Sequence, residues 1–102
     1  MPQEWQQKNN LPIPGIWRGL AFSYDNFGYI SAGKSSSSTW NSETWKYDPT
    51  LDQWTNFPTL SFGERTYVGS VQKDDFLYVF GGLNPSGQTA TAFEKVDLTL
   101  FN

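Results

Sequence analysis

The chain has 102 residues and a net charge of −3, and it contains neither cysteine nor histidine. Its seven basic residues are scattered along the sequence, so the clustered lysines and arginines of a nucleic-acid groove are missing and we expect no nucleic-acid partner. Without histidine and cysteine, the chain lacks the commonest general base, the commonest transition-metal ligand and any disulfide. We therefore predict no catalytic residue, no metal site and no cofactor.

The N-terminus and the apolar runs contain no recognisable targeting signal. Met1–Trp5 has neither the basic start nor the apolar core of a signal peptide. The longest apolar run, Phe76–Phe80, is far too short to span a bilayer. We predict neither a signal peptide nor a membrane span, and the sequence leaves the compartment open.

Short strands are predicted along the whole chain. Trp45 and Tyr47 lie on either side of Lys46, and such alternation of apolar and polar residues is the period of a half-buried strand. The eight predicted strands are Trp5–Asn9, Arg18–Tyr24, Tyr29–Ala32, Glu43–Tyr47, Gln53–Asn56, Arg65–Val71, Phe76–Phe80 and Ala92–Asp97.

Two kinds of connection separate these strands. Short turns are predicted at Asp25–Gly28, Asp48-Pro49 and Lys73–Asp75. Asparagine, aspartate and glycine tolerate the positive φ of such turns, and proline ends a strand. Lys34–Asn41, which contains four consecutive serines, and Leu83–Thr89 are predicted as longer loops. In an up-and-down sheet, both longer loops emerge at the same end.

The sequence repeats at a spacing near 50 residues. Val96–Leu100 lies 49 residues after Tyr47–Leu51, and Trp54 lies 49 residues after Trp5. Short strands that recur at this period are typical of β-propeller blades. The predicted fold class is therefore all-β, with two blades' worth of strands.

The repeated motifs resemble the kelch repeat, in which a strand ends in two glycines and a Tyr-Asp-Pro turn precedes a tryptophan. This chain departs from that pattern at Ala32-Gly33, in the glycine position, and at Val96–Leu98, in the Tyr-Asp-Pro position. The motif residues to which the resemblance assigns a structural role are Gly33, Trp45, Tyr47, Asp48, Trp54, Gly81, Gly82 and Asp97. The resemblance implies four-stranded antiparallel blades around a central axis.

The repeat divides the chain into three parts. Residues 1–17 are predicted to form the fourth strand of a preceding or partner blade and a connector, residues 18–57 a complete blade, and residues 58–102 a second blade without its fourth strand. Two blades do not close a ring, and they leave two open faces of about 300 Å² each.

Together these faces reach the upper limit of the apolar patches on soluble monomers, so we expect further blades to cover them. The further blades would come from a longer chain or from identical chains. In a ring of identical chains, each N-terminal strand would pair with the second blade of its neighbour.

Four residues are candidates for ligand binding. Arg18 and Arg65 each open an apolar strand, and we interpret them as the same position in successive repeats. Side by side they could bind a carboxylate, but we favour a pairing within their own blades, because a repeated residue usually serves the repeat. Trp40 and Asn84 lie on the two longer loops, where binding residues are commonly found, although Trp40 has the alternative of folding back over the blade edge.

Two functions fit these features. The first is a binding scaffold whose loops engage a protein or a glycan. The second, implied by the resemblance, is part of a kelch-type carbohydrate-active enzyme such as a sialic acid epimerase or mutarotase. A copper site like that of galactose oxidase is excluded because it would need histidine. We favour the scaffold, since two blades supply only part of a closed active site.

Overall fold

Seven β-strands form two antiparallel sheets in the computed structural model, which describes residues 6–13, 15–16, 18–35, 39–57, 65–89 and 93–101. The strands are β1 Leu20–Tyr24, β2 Phe27–Ser31, β3 Thr44–Asp48, β4 Gln53–Phe57, β5 Gly69–Lys73, β6 Phe76–Phe80 and β7 Phe93–Asp97. β1–β4 form the first sheet and β5–β7 the second, and a 3-10 helix, Leu98–Phe101, follows β7. This architecture confirms the all-β fold class, and the described residues form no closed ring.

The hairpin turns have the local chemistry that the sequence predicts. Asp25 and Asn26 join β1 to β2 with φ values of 52° and 69°, two successive positive values that aspartate and asparagine tolerate. Between β3 and β4, the Asp48 carboxylate accepts the N–H groups of Thr50 and Leu51 at 2.9 and 3.3 Å. These bonds satisfy donors that the strand ladder leaves without a partner.

The hydrophobic core lies between the two sheets. Leu20, Phe22 and Tyr29 project from one face of the first sheet, Leu77 and Val79 from the facing side of the second, and all five are buried. The rings of Phe22 and Tyr29 stack with their centroids 5.0 Å apart. The sheets therefore pack face to face, as neighbouring propeller blades do.

Main-chain hydrogen bonds also join the two sheets. The Gly33 N–H donates to the Arg65 carbonyl at 2.7 Å, and the Tyr67 N–H donates to the Arg18 carbonyl at 3.2 Å. Because only backbone atoms take part, these two bonds do not depend on which side chains occupy the positions.

The strands of the two sheets repeat at a constant spacing of 49 residues, since β5, β6 and β7 each begin 49 residues after β1, β2 and β3. β1 begins at Leu20 and β5 at Gly69, so the prediction that Arg18 and Arg65 open these strands is wrong. Their predicted equivalence is wrong as well, because the constant spacing matches Arg18 with Tyr67. Both of these residues have positive φ, 60° and 56°.

Residues 6–13 form no strand, in contrast to the predicted strand Trp5–Asn9, of which Trp5 lies outside the described residues. Asn9 is instead bound to the turn between β3 and β4. Its N–H donates to Asp52 Oδ1 at 3.0 Å, and its side-chain amide donates to the Asp52 carbonyl at 2.6 Å. The Trp54 indole donates to the Asn9 carbonyl at 2.9 Å. The pairing of an N-terminal strand with a neighbour, and the three-part division of the chain, stay predictions.

Candidate functional site

The two ends of the sheets carry different connections. One end has the short hairpin turns and is called the turn end below. The other carries the connections from β2 to β3 and from β6 to β7, together with the segments that enter β1 and β5. This loop end contains the four candidate binding residues, which are Arg18, Trp40, Arg65 and Asn84. Residues 36–38 of its first loop lie outside the described part of the chain.

Trp40 lines a cleft of about 160 Å³ at the loop end. Ile13 and Ile16 form apolar walls of this cleft, and Glu43 contributes a carboxylate. The Lys34 ammonium lies 4.5 Å from the centroid of the Trp40 ring, a cation–π contact that holds the indole in place. Trp40 is half-buried, so part of its ring surface is available to a ligand.

Asn41 fixes the chain at the base of this cleft and was not singled out from the sequence. Its side-chain amide donates to the carbonyls of Ala32 and Glu43 at 2.9 and 3.0 Å, and its Oδ1 accepts the Glu43 N–H at 3.1 Å. Asn41 is buried, and these three bonds bring the loop back to β3. No sequence signal distinguishes this asparagine from the others, because its bond to the Ala32 carbonyl depends on the path of the loop between β2 and β3.

Arg18 and Tyr67 form a pair at the loop end where β1 and β5 begin. The Arg18 guanidinium carbon lies 4.3 Å from the centroid of the Tyr67 ring, and both residues are exposed. Their positive φ values cost a residue other than glycine about 1–3 kcal/mol. The pair places a cation beside a phenol where β1 and β5 begin. A binding role for Arg18 stays a prediction.

Arg65 is buried and pairs within its own sheet. Its Nη2 forms an ion pair with Glu94 of β7, and both side chains are largely shielded from solvent. Its Nη1 is buried without a hydrogen-bond partner among the described residues. Arg18 and Arg65 therefore have different partners, and Arg65 has the surroundings of a structural residue. Its predicted role in ligand binding is not tested by this geometry.

Asn84 organises its own loop. Its Oδ1 accepts the N–H groups of Ser86 and Gln88 at 3.0 and 3.1 Å, and its own N–H donates to the Gln88 carbonyl at 3.0 Å. The side-chain oxygen is thus occupied within the loop. A role for Asn84 in ligand binding stays a prediction.

The glycines of the motif occupy positions with positive φ. The φ values of Gly33, Gly81 and Gly82 are 83°, 69° and 90°. A Cβ atom on Gly82 would lie 2.5 Å from the Thr66 carbonyl oxygen, which is too close for any side chain. Ala32 matches Gly81 at the constant spacing and also has positive φ, 60°, so the first sheet accepts a strained alanine there.

Tyr47 and Trp54 pack against each other on the first sheet, with ring centroids 4.9 Å apart. The Tyr47 hydroxyl donates to Asp52 Oδ1 at 2.7 Å, and this hydrogen bond to a carboxylate raises the pKa of Tyr47 to about 12. The hydrogen bond from the Asn9 N–H, followed by that from Tyr47, lowers the pKa of Asp52. Asp52 is therefore the centre of a hydrogen-bond network that sequence reasoning missed.

Two further motif residues have local structural surroundings. Asp97 Oδ1 accepts the hydroxyl and the N–H of Thr99 at 2.6 and 3.0 Å, and these bonds lower the pKa of Asp97. Asp97 thus fixes the start of the 3-10 helix. Trp45 is half-buried, and its Nε1 is buried without a hydrogen-bond partner in the described part of the chain.

A larger cleft, of about 550 Å³, lies at the turn end and was not anticipated from the sequence. Its aromatic walls come from Tyr24, Phe27 and Tyr47. The Tyr24 hydroxyl donates to Asp75 at 2.9 Å, and the Tyr47 hydroxyl is bonded to Asp52. Both hydroxyls therefore have partners within the chain, and Asp25 and Asn26 add polar groups to the lining of this cleft.

Neither a metal site nor a membrane helix is found in the parts of the chain that the structure describes. No group of three or more aspartate, glutamate, histidine or cysteine side chains among these residues could hold a metal ion. Among the same residues, no helix has the length and apolarity needed to cross a membrane.

Comparison with known proteins supports the fold. Neither a protein-family model nor a curated protein matches the sequence. A solved structure described as "Structure of YjhT" is similar to the chain, with a TM-score of 0.71 and 25% sequence identity. The similarity covers 93% of this chain and 28% of that one, so the chain spans less than a third of the protein that it resembles. The similarity fits kelch-like propeller blades.

Proposed function

We propose that the chain is a segment of a kelch-type propeller that acts as a binding scaffold, and that its loop end engages a protein ligand beside Trp40. The observation that carries this proposal is the cleft formed by the half-buried indole, the two isoleucines Ile13 and Ile16, and Glu43. The Lys34 ammonium and the bonds of Asn41 fix the loop from either side. The cleft is therefore preformed, which lowers the cost of binding.

The size of the cleft favours a protein over a larger organic ligand. At about 160 Å³ it is well below the roughly 300–1,000 Å³ of sites that enclose small molecules, and it suits one inserted side chain. An aromatic residue that contacts such a side chain is the usual anchor of a protein interface. A glycan, which would place one sugar ring on the indole, is the other ligand class that the test must separate.

The test is selection of a displayed random-peptide library on the immobilised chain, followed by affinity measurement with single variants. Peptides selected on the native chain should bind Trp40→Ala at least about tenfold more weakly, the loss of one buried aromatic contact. Leu51→Ala, at the exposed turn between β3 and β4, is the matched control and should leave the affinity unchanged.

Enriched peptides that bind Trp40→Ala as tightly as the native chain would contradict the proposed site. A different result would favour a glycan over a protein ligand. In that case the library yields no enriched peptide, and free monosaccharides bind and shift the NMR resonance of the Trp40 indole.

A second candidate function, part of a carbohydrate-active enzyme, is favoured by the pair of Arg18 and Tyr67. The Arg18 guanidinium is exposed beside the Tyr67 ring at the loop end of the sheets. A sugar carboxylate could form an ion pair with it there. Exchange between the anomers of sialic acid, followed by NMR in the presence of the chain, tests this candidate. An exchange rate that the native chain increases and the Arg18→Ala variant does not would support the enzyme function. An exchange rate that the native chain leaves unchanged would exclude this function for the segment alone.

A further inference from the structure

The second sheet has an exposed apolar face, formed by Val71, Tyr78, Phe80 and Phe93 on the side away from the first sheet. Val71 is 55% exposed and Phe93 68% exposed. The Phe93 ring stacks on Phe80 and tilts against Tyr78, with both centroid distances 5.9 Å. This surface, the open face of the second sheet, is thus an apolar patch across β5, β6 and β7, with its aromatic rings on β6 and β7.

The open face of the second sheet matches, at the 49-residue spacing, the face of the first sheet that forms the core. Phe22 corresponds to Val71 and Tyr29 to Tyr78, and the two residues of the first sheet are buried. A cation–π contact between a lysine and a phenylalanine also recurs on this face. Lys46 lies 4.0 Å from the Phe27 ring centroid, and Lys95 lies 3.9 Å from that of Phe76.

The core face of the first sheet and the open face of the second each have one large and one small residue at the same strand pair, but on opposite strands. Leu20 pairs with Ser31 in the first sheet, and Gly69 pairs with Phe80 at the same place in the second. The Phe80 ring lies over Gly69, since a Cβ atom there would be 2.6 Å from the ring. A large apolar side chain therefore covers this point of both faces, as a packing surface requires.

The first sheet has the complementary open face, on the side away from the second sheet. The second sheet presents Leu77 and Val79 to the core, and at the constant spacing Val79 corresponds to Ile30. Ile30 and Ala21 line a cleft of about 250 Å³ with Leu11 and Ile16. This cleft is where an incoming apolar side chain would be received.

We propose that a second copy of this chain docks head to tail, with the open face of its second sheet against the open face of the first sheet. The interface between the two sheets of one chain is the template. Its backbone bonds, Gly33 N–H to Arg65 and Tyr67 N–H to Arg18, have counterparts in the assembly. These are Gly82 N–H of one copy to the Ile16 carbonyl of the next, and Arg18 N–H of the next copy to the Tyr67 carbonyl of the first.

The contact between two copies buries a small area, so we expect their association to be weak. Each face covers about 300 Å², so one contact buries roughly 600 Å², below the 1,200–2,000 Å² of stable interfaces. A single contact is therefore weak, and association depends on concentration. Because the contact joins two different faces, it repeats until the rotation closes a ring, or continues as a filament. Three copies would supply six sheets.

The first experiment is sedimentation velocity of the whole chain between about 1 and 200 µM, the range in which a weak contact becomes populated. We expect oligomers that grow with concentration. Phe93→Lys, which places a charge in the open face, should weaken association at least about tenfold. Leu51→Lys is the matched control, since Leu51 is 62% exposed but lies in a turn, and it should associate as the native chain does.

A chain that stays monomeric over the whole range would overturn the proposal. Equal weakening by Leu51→Lys and Phe93→Lys would also overturn it, because that result would indicate nonspecific apolar association.

Mixing two variants tests the head-to-tail arrangement itself. Ala21→Lys blocks the exposed part of the open face of the first sheet, and Phe93→Lys blocks that of the second. At a concentration where the mixture associates, each variant alone should be monomeric, and the equimolar mixture should give a dimer that contains one of each and grows no further. Self-association of Ala21→Lys alone would mean that two second sheets meet face to face, which contradicts the proposal. Circular dichroism of each variant checks that the strands are intact.

Discussion

The two sheets share one register, yet the same face is buried in one and exposed in the other. Thr44 is completely buried and Phe93, at the corresponding position, is 68% exposed. Tyr29 is 2% exposed, whereas Tyr78 is only half-buried. Strand pattern fixes which residues share a face, but the neighbour that covers the face decides whether they are buried. The second sheet therefore shows what the first would look like without its partner.

The largest expected effect comes from the two tyrosines, which are the same residue in the same register. Tyr29→Ala should lower the free energy of unfolding by about 3–5 kcal/mol, because it removes a buried ring that stacks on Phe22. Tyr78→Ala should cost much less at a concentration where the chain is monomeric. Urea unfolding of both variants measures the difference. Equal losses would show that the second sheet is covered by something in the monomer, and would refute the comparison.

The second largest effect on stability is expected at the ion pair of Arg65 and Glu94, which has no equivalent in the first sheet. At the corresponding positions the first sheet has Ile16 and Trp45, so one sheet has a charged pair where the other has apolar side chains. Arg65→Met should cost about 3 kcal/mol, because it leaves Glu94 largely buried without its cation.

The double variant Arg65→Met, Glu94→Leu tests whether the charged pair can be replaced, since it makes these two positions apolar like Ile16 and Trp45. It should recover most of the stability that Arg65→Met loses, as buried ion pairs are often replaceable by apolar side chains. Urea unfolding of the native chain, both single variants and the double variant provides the coupling energy. A double variant that is less stable than either single variant would mean that the pair contributes more than its apolar replacement.

Local patterns in the sequence predicted the hairpin turns, the all-β class and all the strands except Trp5–Asn9, although not all of their first residues, because alternation and turn residues act over a few positions. Asp48 and the pair Asp25-Asn26 are examples, since their roles depend on the adjacent backbone. The match between Arg18 and Arg65 failed because it compared residue types, whereas the hydrogen-bonded ladders set the spacing. Arg18 meets Tyr67 through a contact between sheets, which no local pattern encodes.

The candidate site was predictable only in outline. Trp40 could be chosen because it is the aromatic residue of a polar loop, and the structure places it in a cleft. The other walls of that cleft, Ile13 and Ile16, come from a segment that reads as a connector. Asp52 was missed for the same reason, because its main partner Asn9 is 43 residues away in sequence. Contacts of this kind depend on the path of the whole chain.

Trp54 should have an intermediate effect. It is half-buried on the open side of the first sheet, where it packs on Tyr47 and donates to the Asn9 carbonyl. Trp54→Ala should lower the free energy of unfolding by about 2 kcal/mol, less than Tyr29→Ala, because only part of the ring is removed from water.

Trp54→Phe separates the two contributions, since it keeps an aromatic ring but removes the indole N–H. It should lose about 0.5–1.5 kcal/mol, the value of one hydrogen bond. If Trp54→Ala costs as much as Tyr29→Ala, then this tryptophan is packed more deeply than the first sheet alone explains.

The smallest effect concerns the Asp52 network, which binds the N-terminal segment to the first sheet and has no counterpart in the described part of the second. The pKa of Asp52 is lowered by its bonds from Asn9 and Tyr47, so its contribution is complete above the ordinary value of 3.8 and is lost as the pH falls through the lower folded value. The pKa of Tyr47 is raised from 10.0 to about 12, so its contribution is complete below pH 10 and is lost as the pH rises through about 12.

Asp52→Asn tests this network with little disturbance of the backbone, because Asp52 has a φ of 53° and asparagine tolerates that conformation. The variant should be slightly less stable at neutral pH. Its stability should depend less on pH below 3.8, where the native chain loses the contribution of its Asp52 carboxylate. Spectroscopic titration should show the pKa of Tyr47 moving from about 12 towards 10.0, since a neutral amide oxygen favours the protonated phenol less than a carboxylate does. Asp97→Asn is the matched control, as the Asp97 carboxylate at the end of β7 accepts hydrogen bonds from Thr99 of the 3-10 helix, and it should leave the titration of Tyr47 unchanged. A Tyr47 that still titrates near 12 in Asp52→Asn would show that the charge of the Asp52 carboxylate is not what raises its pKa.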